Sequence, residues 1–248
     1  KLFAYSNIIN SGVREFLQEV IELLLEQNVD VMWLNDAHFA RGALDIYIPV
    51  IQAMLPSCRV FQFPTAYVHT GSPNPSHNQM GGAIAIITYQ WHGYVTAQIP
   101  DPTGSGLINT IDLTIGSYAF RLINVYLSPT STGGGPATIH SRLQRYIHAK
   151  ESPKWAKRLS PLEYQYGYLQ SLINTARVKD KCLLISGDFN RHLTGYSPTG
   201  TTNRFHRWVR TNQLVAPCVN SLHRMSGYHT WTNNSERQDS TAIDHVFH

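Results

Sequence analysis

Short runs of β-branched and apolar residues, separated by glycine, proline and polar turns, occur in both halves of this 248-residue chain. Amphipathic stretches with apolar residues every three or four positions stand between them, as in residues 13–28 and 161–178. No internal repeat and no low-complexity linker divides the chain. We therefore predict one α/β domain over residues 1–248, a four-layer α/β/β/α sandwich with two mixed β-sheets packed face to face and helices outside.

The individual elements follow from the same patterns. Strands are predicted in LFAYSNII, VDVMWLND, CRVFQFP, GGAIAIITY, INTIDLTIG, YAFRLINVYL, CLLISGDFN, YHTWTN and AIDHVF. Helices are predicted in VREFLQEVIELLLEQN, ALDIYIPVIQAML, PLEYQYGYLQSLINTARV and RFHRWVRTNQLV, the second of them ended by Pro56.

Composition excludes several classes of protein. A hydrophobic content of 42% with 15% charged residues is typical of a globular chain rather than a disordered or fibrous one. No segment approaches the ~20 apolar residues of a membrane span, and the start lacks the apolar run of a signal peptide, so we expect an intracellular protein with no membrane partner. Cys58, Cys182 and Cys218 lie far apart, which favours reduced thiols over disulfides or a zinc site.

The net charge of +4 is a mild basic excess that suits a polyanionic partner without requiring one. Basic residues are interleaved with aromatic ones in residues 142–158 and 203–210, a pattern that fits phosphate contacts and base stacking. Solvated helix faces carry such clusters about as often. The residues predicted to contact nucleic acid are Arg191, His192, Arg204, Arg207 and Trp231, with packing as the alternative for Trp231.

Several predicted strands end in polar groups that are suited to a metal-assisted phosphoryl site. The residues at these ends are Asn7, Asn35, Asp36, Tyr126, Asp188, Asn190 and Asp244. If the strands share one pair of sheets, their ends can gather at one edge and line a cleft with the oxygen ligands that Mg²⁺ prefers. Any one Asp or Asn at a strand end is more often a turn former or a helix cap, so the joint occurrence carries the hypothesis.

The segment LLISGDFN places Asp188 and Asn190 two positions apart at the end of a buried strand. Alternate residues of an extended chain face the same side, so we expect both to face the cleft while Phe189 packs backwards. Gly187 is expected to let the chain turn at this point.

The motifs YSN, WLNDAH, GGAIAI, NVYLSPT, LLISGDFN, HTW and AIDHVF follow one another across almost the whole chain. In this order they resemble the endonuclease/exonuclease/phosphatase superfamily, and above all the apurinic-endonuclease-like domains that non-LTR retrotransposons place ahead of their reverse transcriptase. The resemblance implies a Mg²⁺-dependent endonuclease, with Mn²⁺ as an alternative ion, that nicks double-stranded DNA and leaves a 3′-hydroxyl to prime reverse transcription. It also implies a reverse transcriptase domain in the same polyprotein and action on chromosomal DNA in the nucleus.

For the metal, the resemblance implies Asp36 and Asn7. Asp36 stands where the family has a metal-binding glutamate, in L-N-D-A-H instead of L-Q-E-T-H. It would hold Mg²⁺ with its shorter side chain through a closer backbone or a bridging water. Asn7 would steady the metal carboxylate or nearby phosphate oxygens.

For the phosphate, the resemblance implies four further residues. Asp188 would orient or deprotonate the attacking water, and Asn190 would donate its amide to a phosphate oxygen, because a carboxylate accepts hydrogen bonds whereas an amide can donate them. Tyr126 would hydrogen-bond the phosphate near the leaving group; a sheet aromatic is the alternative for this residue. Asp244 would support the site from the I-D-H strand.

In similar proteins the catalytic histidine lies in a separate S-D-H motif beyond that strand. This sequence contains no S-D-H before its last residue, His248, so we expect the motif and a closing strand to follow, and His245 not to be the catalytic histidine. The alternative is that the domain has lost this group. Without the imidazolium, transition-state stabilisation falls and the rate drops roughly a hundred- to thousandfold. We expect residues 1–248 alone to bind DNA and metal but to cleave poorly; rapid plasmid nicking by this chain would contradict that.

Two other functions are compatible with the sequence. The fold alone does not exclude an inositol-phosphate or sphingomyelin phosphodiesterase, although NVYLSPT and the basic excess favour DNA. A catalytically weakened DNA- or RNA-binding domain also fits, because Asp36 replaces a glutamate and S-D-H is absent. We predict that target specificity comes from residues 69–80 and 231–243, since loops on a rigid scaffold usually carry recognition.

Overall fold

The computed structural model describes residues 2–6, 13–26, 28–35, 41–65, 81–128, 138–156, 159–190, 204–215, 231–232, 240–241 and 244–248. The helices in these ranges are α1 (Val13–Glu26), α2 (Arg41–Met54), α3 (Tyr89–His92), α4 (Ile139–Lys150), α5 (Pro153–Ala156), α6 (Pro161–Val178) and α7 (Arg204–Thr211). The strands are β1 (Leu2–Ser6), β2 (Val31–Asn35), β3 (Arg59–Phe63), β4 (Ala83–Ile87), β5 (Val95–Ile99), β6 (Ile108–Ile115), β7 (Tyr118–Tyr126), β8 (Cys182–Asp188), β9 (Trp231–Thr232), β10 (Ser240–Thr241) and β11 (Asp244–Phe247).

Two mixed sheets form the centre of the fold. The first has the order β1-β2-β4-β3, in which β1 and β2 are parallel and the other neighbours antiparallel. The second has the order β11-β8-β7-β6-β5, in which only β7 and β8 are parallel. Between the sheets, β1 lies against β8 and β2 against β7. Strands β9 and β10 pair separately.

Alternate residues of the central strands enter different apolar cores, because successive side chains of a strand point to opposite faces. Met32 of β2 packs with residues of α1 and α2 on the outside of the first sheet. Trp33, the next residue, packs between the sheets with Ile111 and Leu122. On the far side of the second sheet, Ile123 packs with residues of α6 and α7. The layers are therefore helix, sheet, sheet and helix, and the predicted four-layer sandwich is confirmed.

Some elements were missing from the sequence-based prediction, and their burial explains why. The β5 segment VTAQI is a short edge strand whose residues alternate between half-buried and exposed, so it lacks the longer apolar run that marks the central strands. The buried face of α4 includes Arg142 beside Leu143 and Ile147, which breaks the apolar period that identifies an amphipathic helix.

The longest helix, α6, begins with a complete cap. The Ser160 side chain accepts from the Glu163 N–H, the Glu163 carboxylate accepts from the Ser160 N–H, and Pro161 occupies the first turn. One face of α6, which includes Leu169 and Ile173, is buried against the second sheet. In the part of the chain that the structure describes, no helix is long and apolar enough to cross a bilayer.

A buried ion-pair cluster ties β6 and β7 to α6. Arg121 makes two hydrogen bonds to the Asp112 carboxylate, both 2.8 Å, and donates to the carbonyl oxygen of Leu172 at 3.1 Å. Lys181 donates to the same carboxylate at 2.7 Å. Burial alone would raise the pKa of Asp112, but the hydrogen bonds and charges of Arg121 and Lys181 together lower it below its ordinary value of 3.8. The stabilisation from this carboxylate is therefore complete above pH 3.8 and is lost as the pH falls through the lowered pKa.

Arg121→Met is expected to lower the free energy of unfolding by about 3 kcal/mol at pH 7, because it removes one partner from a buried ion pair and leaves Asp112 only partly compensated. Urea unfolding measures the effect. Arg210→Met is the matched control: Arg210 is exposed on α7, so its loss is expected to change stability by less than about 0.5 kcal/mol. Equal stabilities for the two variants would contradict this role for the cluster.

Candidate active site at the strand ends

The carboxyl ends of β1, β2, β7 and β8 meet at one edge of the sandwich. Ser6 and Asn35, the last residues of β1 and β2, are paired in their parallel ladder. Tyr126 and Asp188, the last residues of β7 and β8, are paired in theirs. The Asn35 amide donates to the carbonyl oxygen of Val125 at 3.5 Å, so the two pairs of ends adjoin across the sandwich. The common edge that the sequence predicts is present for these four strands.

Asp188 and Asn190 are bound to each other and to the chain just after β7. Asp188 is 3% exposed, and its Oδ1 accepts a hydrogen bond of 2.7 Å from the backbone N–H of Asn190. The Asn190 amide donates to the carbonyl oxygen of Leu127 at 2.7 Å, and the Leu127 N–H donates to the carbonyl oxygen of Asp188 at 2.9 Å. Phe189 is fully buried in the core on the other face, as strand alternation predicts. One N–H of the Asn190 amide is thus committed to Leu127, so the predicted phosphate contact must use the other.

The expectation that Gly187 lets the chain turn is wrong. Gly187 lies inside β8, between Val125 of β7 and His245 of β11 in the sheet register. A Cβ added at Gly187 would lie 1.9 Å from the carbonyl oxygen of Val125, and the φ angle of 141° is one that residues with side chains rarely adopt. Glycine is therefore required for the close approach of β8 to β7 next to Asp188.

Tyr126 is more enclosed than a half-buried sheet aromatic. It is 8% exposed and packs with Leu107, with Ile139 at the start of α4, and with Leu143. Its backbone N–H donates to the carbonyl oxygen of Leu107 at 2.7 Å. The ring is thus fixed beside Asp188, and its contact with phosphate stays a prediction.

A buried polar row lies two residue pairs below Tyr126 and Asp188 in the register of β7 and β8, and sequence reasoning missed it. Asn109, Asn124 and Ser186 pair across β6, β7 and β8, and all three are fully buried. The Asn124 amide donates to Oδ1 of Asn35, which links the two sheets beneath the edge. Among the described residues, Oδ1 of Asn124 and Oγ of Ser186 have no hydrogen-bond partner. The available signal was the asparagine in the middle of the apolar strand LINVYL.

Residues 101–107 close the same edge beside the start of β4. The Asp101 carboxylate accepts hydrogen bonds from the Thr103 hydroxyl at 2.7 Å, the Ser105 hydroxyl at 2.6 Å and the Leu107 N–H at 2.9 Å. The carbonyl oxygen of Ser105 accepts from the Gly82 N–H at 2.8 Å. The segment DPTGSG is rich in turn formers, but its sequence does not reveal which strand it contacts.

The polar side chains described at this edge carry carboxylate and amide oxygens, which are the atoms that bind hard metal ions. They include the Asp188 carboxylate and the amides of Asn35 and Asn124. Within the described residues, no group of three or more His, Cys, Asp or Glu side chains is placed to hold a metal ion. Hard divalent cations such as Mg²⁺ need only one or two carboxylates and keep several waters, so the groups at this edge fit a cation of that class. The predicted metal residues, Asp36 and Asn7, lie outside the described residues.

Of the other predicted site residues, Asp244 begins β11 and stands opposite Asp188 in the sheet register, although its side chain is outside the described part. Trp231 lies in β9, again with only its backbone described. Arg191 and His192 lie outside the described residues, as do nearly all of the two predicted specificity loops.

The predicted nucleic-acid residues of α7 lie behind Phe189. Phe205 of α7 packs against Phe189 with 5.1 Å between ring centroids, which fixes the helix on the outer side of the edge. Arg204 and Arg207 are exposed on this helix. Arg204 also pairs with Glu163 of α6 at 3.0 Å, an exposed ion pair that is expected to stabilise the fold by less than ~1 kcal/mol.

Comparison with solved structures identifies the fold. A 3′-5′ exonuclease from Neisseria meningitidis has a TM-score of 0.59 and 14% identity, covering 99% of this chain and 85% of that chain. Truncated TDP2 from Caenorhabditis elegans has a TM-score of 0.56 and 13% identity, covering 98% and 81%. D. rerio TDP2 with a single-strand DNA product has a TM-score of 0.56 and 10% identity, covering 99% and 81%. No protein-family model matches the chain, and neither does any curated protein sequence. Because these structural neighbours have the endonuclease/exonuclease/phosphatase fold, that predicted fold is confirmed, and at such identities the likeness extends to the fold alone.

Proposed function

We propose that this chain is a Mg²⁺-dependent DNA endonuclease that nicks one strand of a duplex and leaves a 3′-hydroxyl. The observation that supports it most is the buried Asp188 carboxylate at the meeting of four strand ends, held by Asn190 and adjoining the Asn35–Asn124 link. In a non-LTR retrotransposon, the 3′-hydroxyl primes reverse transcription by a domain of the same polyprotein, acting on chromosomal DNA in the nucleus.

The proposed chemistry is an in-line displacement at phosphorus. Asp188 accepts a proton from a water molecule as the water oxygen bonds to phosphorus, and the bond to the 3′-oxygen breaks. The 3′-oxygen takes a proton from solvent, which gives a 5′-phosphate and a 3′-hydroxyl. Asn190 and Tyr126 donate hydrogen bonds to the phosphate oxygens. Asp36 and Asn7 would hold Mg²⁺, which would supply positive charge for the leaving oxygen when bound.

Three observations favour DNA over a small phosphoester. The chain has a net charge of +4, and Arg204 and Arg207 are exposed on a helix that packs directly behind Phe189. One structural neighbour is a 3′-5′ exonuclease, and another was solved with a DNA product. The superfamily membership of these neighbours supports phosphodiester hydrolysis in general, and the retrotransposon reaction is our extension of it.

One assay tests both the class of substrate and the chemical group left at the 3′ end of the product. Supercoiled plasmid is incubated with an excess of the chain and Mg²⁺, and the nicked circles are then offered to a DNA polymerase with labelled nucleotides and no phosphatase. We expect label at the nick, because a 3′-hydroxyl is extended directly. Hydrolysis of sphingomyelin or inositol phosphates without nicking would instead assign the site to small phosphoesters. Duplex binding that persists with chelator, without any nicking in Mg²⁺, would assign the chain to nucleic-acid binding alone.

A further inference from the structure

The side-chain amide of Gln165, in the first half of α6, is bound to the backbone just after β7. Gln165 is 2% exposed. Its Nε2 donates to the carbonyl oxygen of Tyr126 at 3.1 Å, and its Oε1 accepts from the backbone N–H of Ser128 at 2.8 Å. One amide therefore holds the two backbone groups that flank Leu127.

The neighbours of Gln165 on α6 show that this amide is unusual for its position. The helix face toward the second sheet is otherwise apolar, with Tyr166, Leu169 and Ile173 in the same core. A buried amide in such a core is tolerated only when its donor and acceptor are both paired. Both partners of Gln165 are backbone groups at the point where the β7 ladder ends, so the amide extends the pairing of the strand by two residues.

The segment that Gln165 holds is also the segment that holds the candidate catalytic residues. Between its two contact points lies Leu127, whose carbonyl oxygen accepts from the Asn190 amide at 2.7 Å. The Leu127 N–H donates to the carbonyl oxygen of Asp188, and the Asn190 N–H donates to Oδ1 of Asp188. A shift of the backbone at Leu127 would therefore move both residues.

We infer that Gln165 is a positioning residue for the proposed reaction: through the backbone at Leu127, it fixes the side chain of Asn190 and the end of β8 at Asp188. This inference rests on the proposed function for its effect on rate, whereas its effect on the position of Asn190 stands by itself. Gln165 is 2% exposed and both of its hydrogen bonds are to backbone groups, so its side chain is not available to the DNA or to the attacking water. Its removal should therefore reduce the rate of the bound complex and leave DNA affinity unchanged.

Gln165→Met keeps the size of the side chain and removes both hydrogen bonds. A misplacement of about 1 Å at a reacting group commonly lowers a rate about a hundredfold, so we expect a 10- to 100-fold loss of the single-turnover nicking rate at saturating DNA. The Kd for the same duplex should change less than about twofold, because no DNA contact is removed.

Gln170→Met is the matched control on the same helix. Gln170 donates to Asn174 at 3.0 Å and exchanges hydrogen bonds with Asn212 at 2.7 and 2.8 Å, away from the end of β7. Both variants remove side-chain hydrogen bonds from α6 and are expected to lower stability, but Gln170→Met should keep the wild-type nicking rate. Equal rates for Gln165→Met and Gln170→Met would overturn the inference.

Gln165→Glu tests whether the two hydrogen bonds, rather than the size of the side chain, carry the effect. A protonated glutamic acid can reproduce both contacts, donating to the Tyr126 carbonyl and accepting from the Ser128 N–H, whereas the carboxylate has no donor. The nicking rate of Gln165→Glu relative to wild type should therefore rise as the pH falls and the carboxyl group is protonated. A ratio that stays flat with pH, or falls, would contradict the positioning role.

The position of Asn190 is measured without any catalysis. In ¹⁵N-labelled protein, the side-chain NH₂ resonances of Asn190 and the backbone resonance of Ser128 should shift in Gln165→Met and stay in place in Gln170→Met. If the wild-type chain nicks no DNA, the proposed function fails while these shifts still support the positioning of Asn190. Resonances that stay in place in both variants overturn the inference, whatever the activity of the chain.

Discussion

Asp188→Asn is expected to slow Mg²⁺-dependent nicking by about a hundred- to ten-thousandfold, the range typical for loss of a general base. The amide oxygen can still accept the 2.7 Å hydrogen bond from the Asn190 N–H, so the local structure is retained. The amide cannot take a proton from the attacking water. Single-turnover conversion of supercoiled plasmid to nicked circles, with protein in excess, measures the loss.

Asp180→Asn is the matched control for this substitution. Asp180 is exposed just after α6 and has a φ angle of 51°, a conformation that asparagine tolerates well. The same change of charge therefore occurs on the same fold without reaching the strand ends. Nicking at equal rates by the two variants would remove Asp188 from the reaction.

Gly187→Ala is expected to lower the free energy of unfolding by at least about 3 kcal/mol, a large part of the ~5–15 kcal/mol that holds a domain together. The added Cβ would lie 1.9 Å from the Val125 carbonyl oxygen and within 3 Å of two more backbone atoms of the same residue. These are backbone atoms of the central strand β7, so they cannot move aside as the end of a flexible side chain could. Urea unfolding measures the change, and much of the protein is expected in the insoluble fraction.

Gly167→Ala serves as its control. Gly167 lies in α6, is exposed, and has nothing within 4 Å of an added Cβ. Alanine in a helix interior is favoured over glycine by up to about 1 kcal/mol, so this variant should be slightly more stable than wild type. A Gly187→Ala variant that unfolds at the same urea concentration as Gly167→Ala would show that β8 and β7 are not so closely packed.

The four-layer fold could be predicted because its layers are encoded locally. The two apolar runs that end at Asn35 and Asp188 each supply side chains to both faces of their sheet, one face toward the other sheet and one toward the helices. The helices that cover the outer faces each have one apolar side. The meeting of the strand ends then follows from the sheet order. Phe189 packs away from Asp188 because side chains alternate along a strand, which the sequence spacing already contains. Asn190 lies beyond the end of β8 with a φ angle of 48°, and its hydrogen bonds to Asp188 and Leu127 set its position.

Contacts between distant segments were not predictable in this way. Asn35 and Asn124 meet across two sheets, and nothing in either strand indicates its partner. Gln165 occupies a core-facing position that sequence periodicity treats as an ordinary polar break in a helix. Gly187 suggested a turn because glycine is common there, whereas its actual requirement is the close approach of a neighbouring strand, which only the packed sheet reveals.

The most direct test of the central claim is whether the strand-end site hydrolyses DNA with a divalent metal. The wild-type chain, in excess over supercoiled plasmid, is incubated with Mg²⁺, with Mn²⁺ and with chelator, and nicked circles are followed over time. We predict slow single-strand nicking with either ion and none with chelator. Intact plasmid in all three samples, or nicking at the same rate with chelator, would contradict the account.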